Sequence, residues 1–174
     1  MKTILVPLVY SVAILVLAFV CSPSAAAQVR PTSEVLNDKD SAVVIPSSFY
    51  FAGQSAPTQM RNAAAARIGK GRLVIAGMVD TSGYSTEISG KYEGFLITDS
   101  PILIGNKTLR TGAYGFGFSK KGTLNIFDLS STQILSTASI NDEGMKRPKP
   151  LQMVSSNNGV RLYKGKSYVM IRPR

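Results

Sequence analysis

A series of glycine-bearing tight turns, set between short runs of β-forming residues, limits what this chain can fold into more than any other feature. Gly69-Lys70-Gly71 separates Ala66-Arg67-Ile68 from Leu73-Val74-Ile75, and Lys120-Lys121-Gly122 separates Tyr114-Gly115-Phe116-Gly117-Phe118 from Leu124-Asn125-Ile126-Phe127. Asn157-Asn158-Gly159 and Lys164-Gly165-Lys166 frame Val160-Arg161-Leu162-Tyr163, and Tyr168-Val169-Met170-Ile171 follows. Glycine and asparagine relieve the steric penalty on positive φ, so runs joined this way read as antiparallel hairpins. Short strands with regular turn signals are the pattern of a sandwich or barrel.

The remaining runs extend this pattern. Val43-Val44-Ile45 and Phe49-Tyr50-Phe51 are rich in β-formers and are punctuated by Pro46-Ser47-Ser48. Leu73 to Val79 is a continuous apolar run too short for a globular helix, which predicts a strand buried on both faces. Tyr114, Phe116 and Phe118 alternate with Gly115 and Gly117, so the aromatics line one face and the glycines leave room for close packing on the other. Gln59–Ile68 contains four consecutive alanines and follows Pro57-Thr58, which suits a short helix. The hairpin turn immediately after it suits a strand instead. The expected architecture is all-β: a single antiparallel, jelly-roll-like sandwich over 42–174, with a short helix near 59–68 as the open alternative. Gln28 to Ser41, which carries three acids and few large apolar residues, reads as a flexible leader.

Lys2, the apolar run Ile4–Val20 and the small residues Ser22 to Ala27 have the order of a secretory signal with cleavage after Ala27. The run is marginal for a spanning helix, which needs roughly 20 apolar residues, and no basic stop-transfer cluster follows it. The expected location is therefore secreted, periplasmic or cell-envelope, with no transmembrane segment after cleavage. Phe19-Val20 before Cys21 is a poor context for lipid attachment. Cys21 is the chain's single cysteine, so the processed chain holds no disulfide and its stability rests on packing.

The chain has 20 Lys and Arg against 10 Asp and Glu. Only Lys2 leaves with the signal, so the processed chain keeps a net charge of +9. That balance suits an anionic polymer or envelope surface, while export makes specific nucleic-acid binding a less natural role. Lys146-Arg147-Pro148-Lys149 is the densest basic run. With Lys164, Lys166, Arg172 and Arg174 it forms the candidate binding set: residues 146–174 contain no acid, and all seven cations are expected on one face.

The absence of histidine, together with the loss of Cys21, excludes Ser-His-Asp and Cys-His catalysis and metal sites built on imidazole or thiolate. No metal or cofactor and no catalytic residue is expected. Val79-Asp80-Thr81-Ser82-Gly83 looks like an aspartic-protease loop, but Ser82 intervenes and no second copy exists, which favours a strand-end turn bonded to local backbone. Gly112-Ala113-Tyr114-Gly115-Phe116-Gly117 lacks the following helix of a phosphate loop. Asp80, Glu87, Glu93 and Asp99 are the carboxylates available for pairing in a hydrolase.

The stretch Thr98 to Tyr114, with Gly105 in a turn and then Leu109 and Gly112-Ala113-Tyr114, resembles a unit of secreted bacterial β-sandwich domains of unknown function. Through Arg147-Pro148 and Arg161-Leu162-Tyr163 the processed chain is similar to small, uncharacterised exported bacterial proteins. The resemblance implies a sandwich and an envelope or extracellular home, and it brings no catalytic residues with it. Three functions are consistent with these features: a non-catalytic binding or envelope-associated module with a basic face, a carboxylate hydrolase using Asp80, and a structural extracellular subunit that pairs through strand edges.

Export from the native host is expected to yield a product beginning at Gln28, as checked by intact mass. A product retaining Ile4–Val20, or carrying lipid on Cys21, would contradict this.

Overall fold

The computed structural model describes residues 33–174, so the expected export signal and Gln28–Thr32 lie outside the described residues. The chain forms two antiparallel sheets. The larger contains β1 (Glu34–Val35), β2 (Ser48–Phe51), β3 (Gln54–Ile68), β4 (Arg72–Val79), β5 (Gly94–Thr98), β8 (Gly112–Phe118), β9 (Thr123–Phe127) and β10 (Gln133–Ala138). Its order is β1-β3-β4-β5-β8-β9-β10, with β2 pairing the first part of β3. The smaller contains β6 (Ile102–Ile104), β7 (Lys107–Leu109), β11 (Ile140–Asn141), β12 (Gln152–Ser156), β13 (Gly159–Lys164) and β14 (Ser167–Pro173). Its order is β12-β13-β14-β6-β7, with β11 on β14. The all-β sandwich-like architecture and the four hairpin turns read from the sequence are present.

One core fills the space between the sheets. Val74, Ala76, Leu96, Phe116, Leu124 and Ile126 of the larger sheet meet Ile102, Ile104, Val160, Leu162, Val169 and Ile171 of the smaller. A second core covers the outer face of the larger sheet. There Ile75, Val79, Phe95 and Phe127 pack with Phe49, Phe51, Tyr84, Tyr92 and Ile45. The run 73–79 is thus a strand buried on both faces, because alternate side chains enter different cores. Gly115 and Gly117 face the second core, and each is required by what lies against it. A Cβ on Gly115 would overlap the Phe51 ring, and one on Gly117 would run into the Lys91 carbonyl oxygen.

Several expectations are corrected. Val43-Val44-Ile45 is not a strand: Asp38–Val44 is a helix, α1, which ends at Ile45. Asn37 caps it, its Oδ1 accepting the Asp40 amide at 3.0 Å, and Asp38 and Asp40 complement the N-terminal dipole. Pro46 ends it, since the residue before proline is pushed to extended backbone. The segment expected as a flexible leader therefore carries β1 and most of α1 within its described part. Of the two readings open for 59–68, the strand favoured by the following hairpin turn is the one formed. Those residues belong to β3, where Ala65 enters the outer core and Ala66 the inner one. Burial of alternate side chains overrides alanine's helix preference.

The sheets are fastened where their edges approach. The Val35 amide donates to Ser155 Oγ at 3.3 Å, and the Lys107 ammonium donates to the Ser136 carbonyl. A second short helix, α2 (Thr86–Ser89), lies in the β4–β5 connection. Among the described residues no helix is long and apolar enough to cross a membrane.

Gly117→Ala is expected to destabilise the fold by roughly 3 kcal/mol, at the upper end of overpacking costs, because its neighbour is backbone and cannot turn aside. Urea denaturation measures this. A loss below about 1 kcal/mol, the ordinary cost of one small strand substitution, would contradict it.

Candidate functional site

The strand registers place the hairpin tips at two opposite ends of the sandwich. At the first end, the β8–β9 turn carrying Lys120 and Lys121 stands beside the β13–β14 turn, Lys164-Gly165-Lys166. Between them lies a cleft of about 800 Å³ lined by residues including Phe118, Lys120, Pro150 and Lys164, with Glu93 its one acid. Gly165 donates its amide to the Lys149 carbonyl at 2.9 Å, which seats the 146–149 loop against the same tip.

That loop is held by a small polar network. The Asp142 amide donates to the Lys166 carbonyl at 2.9 Å, and Asp142 Oδ1 accepts the Gly144 amide at 3.0 Å. The Tyr163 hydroxyl donates to Asp142 Oδ2 at 2.7 Å, and Arg161 Nη1 donates to the same hydroxyl at 3.4 Å. Arg161 in turn lies 4.9 Å from the Tyr168 ring centroid, a cation–π distance. Burial holds the Tyr163 phenol above its ordinary range, so it stays a neutral donor to Asp142.

Glu93 sits at the start of β5 and accepts the Phe118 amide at 2.8 Å while pairing with Lys164. Glu87 pairs with Lys91 at 3.5 Å, and these are the two ion pairs among the described residues. Lys120, Lys121, Lys146, Arg147 and Lys166 are exposed with no such partner.

The seven expected binding residues do not form one face. Lys164, Lys166 and the Lys146, Arg147, Lys149 loop gather at the first end, where Lys149 also flanks a separate groove beside α1 with Arg61 and Asp38. Arg172 and Arg174 lie six or more residues along β14, about 20 Å away at strand spacing. Arg172 Nη2 donates to the Gly105 carbonyl at 2.8 Å and to Asn106 Oδ1 at 3.0 Å, so its charge is engaged in fastening a turn. The split follows from the strand itself, since Lys166 and Arg174 flank β14 at opposite ends. Lys120 and Lys121 were missed as site residues. Their signal was the pair of lysines at a hairpin tip, and only the packing of one sheet on the other shows which tip they adjoin.

The carboxylates considered for hydrolysis are each engaged locally. Asp80 Oδ1 accepts the Ser82 amide at 3.0 Å, and Asp99 Oδ2 accepts the Leu73 amide at 3.0 Å at the other end of β5 from Glu93. The backbone and side-chain hydrogen bonds from Ser82 hold the Asp80 carboxyl below its usual range, whereas a proton-donating acid needs the reverse shift. Among the described residues no group of three or more His, Cys, Asp or Glu is placed to hold a metal.

Asp80 is expected to titrate below the ordinary carboxylate range in carbon-detected NMR. Its small contribution to stability is present above the unfolded-state value near 3.9 and is lost as pH falls through the lower folded value. Titration above that range would restore Asp80 as a candidate acid. No family model matches this chain, and it has no match among curated proteins or among solved structures, so its function must be read from the site itself.

Proposed function

We propose that the protein is an exported, non-catalytic binding module that holds an anionic polymer across its lysine-rimmed end cleft. What carries this reading is the convergence of two hairpin tips from different sheets, Lys120-Lys121 and Lys164-Gly165-Lys166, on one cleft whose single acid is already paired. Ammonium groups on turns stay hydrated and mobile, so they suit repeated, loosely spaced charges better than one rigid small molecule. Phe118 and Pro150 give the cleft an apolar wall against which a polymer backbone rests. The expected export signal and the resemblance to exported bacterial proteins favour an acidic polymer of the cell envelope as the partner.

Replacing Lys120, Lys121 and Lys166 by Gln tests this on a carboxylate-polymer resin. Removing three exposed pairs worth up to about 1 kcal/mol each is expected to weaken retention by one to two powers of ten, with elution at lower salt. The melting temperature should stay close to the parent's, since these side chains are exposed. Co-elution with the parent protein would mean that the charge serves solubility alone.

A further inference from the structure

The opposite end of the sandwich carries a second basic cleft, of about 570 Å³, with a different construction. Lys70 from the β3–β4 turn, Arg72 at the start of β4 and Arg174 beyond β14 stand around it, and its lining holds no acidic side chain. Ile68, Pro101 and Pro173 contribute apolar surface, and Ser100 and Asn158 add polar groups. The geometry is built rather than incidental: Gly69 lies so close to Pro173 that a Cβ there would approach the proline Cβ to 2.9 Å, which brings the Lys70 turn against the Arg174 strand end. The nearest acid in sequence, Asp99, is occupied by the Leu73 amide. The volume falls within the roughly 300–1,000 Å³ of small-ligand sites, and a guanidinium fork matches a planar carboxylate or a phosphate in a way that an ammonium does not.

The two clefts lie at opposite ends of β14, about 20 Å apart at strand spacing, while screening at physiological ionic strength acts over about 8 Å. They therefore act as separate electrostatic sites, and one polymer segment cannot fill both without wrapping the domain. From this we infer that the second cleft is an arginine-based anion site for one acidic sugar unit, its carboxylate or phosphate on Arg72 and Arg174 and its ring on the apolar floor. One protein molecule then bridges two polymer chains. The bridging rests on the polymer reading above, whereas the second site stands on its own geometry.

Calorimetric titration with a short oligogalacturonate, a parallel arm with a short polyphosphate, and light scattering with long polygalacturonate test it. The parent is expected to take two oligomers per molecule, and scattering should peak at intermediate ratios and collapse in polymer excess. Lys70→Ala with Arg72→Ala and Arg174→Ala should take one oligomer and lose the scattering peak at an unchanged melting temperature. If that variant still takes two oligomers and scatters like the parent, the second site is overturned. A parent that takes only one oligomer is resolved by the Lys120, Lys121 and Lys166 variant. Loss of binding in that variant overturns the second site and keeps the first, whereas loss only in the Lys70 set keeps the second and overturns the first. Binding in the polyphosphate arm alone assigns phosphate as the recognised group, and binding in neither arm overturns both sites.

Discussion

The close approach of the Phe51 ring and the Lys91 backbone to Gly115 and Gly117 governs the rest of the molecule. With side chains at those two positions, neither the Phe51 ring of β2 nor the backbone after α2 could lie against β8. The outer core of Phe49, Phe51, Tyr84, Tyr92 and Phe95 would then be open to water. Phe51 stacks on Tyr92 at a centroid distance of 4.0 Å, and Phe49 on Phe95 at 4.8 Å, so this layer is an aromatic lid and not a loose loop. Losing one such ring to alanine typically costs about 3–5 kcal/mol. Because the lid covers the outer face, the central strands β4, β5 and β8 are buried on both sides. What the larger sheet offers to a ligand is then confined largely to its ends.

That confinement explains where the charge goes. A strand buried on both faces has few places for lysine or arginine, and turns at the strand ends are the positions that keep a cation hydrated. Lys70, Lys120 and Lys121 of the larger sheet all occupy turns, and Lys166 does so in the smaller. The basic balance is thereby split between two poles, and the excess positive charge becomes two local fields, each facing a cleft.

The parts legible in the sequence were those with a local cause. Positive-φ glycines at 69, 71, 122 and 165 marked the hairpins, and the alternation of aromatics with Gly115 and Gly117 marked a face packed at close range. Less was visible where two local signals competed. Asn37, Asp38 and Asp40 looked like a polar leader, yet the same residues are an N-cap and an acidic first turn. The alanine run left helix and strand both open, because the two cores that fix it as a strand lie on either side of it and neither is sequence-local. The site was half legible for the same reason. Basic residues near in sequence were grouped, but β14 carries Lys166 and Arg174 to different poles, and the lysines that do join Lys164 come from a hairpin more than forty positions earlier.

Glu93 shows how fold and site depend on each other at the lysine-rimmed pole. Its carboxylate accepts the Phe118 amide within the larger sheet and pairs with Lys164 of the smaller, so one side chain spans the gap at the cleft floor. Lys164 also lies 5.8 Å from the Phe118 ring, which adds a second hold on the same cation. Partly buried and doubly engaged, Lys164 is better suited to fixing the distance between the two hairpin tips than to following a moving charge. Lys120, Lys121 and Lys166, exposed and free of carboxylates, have the opposite character. The paired lysine ties the two sheets together at the cleft, and the free lysines on the adjoining turns carry the positive charge of that pole.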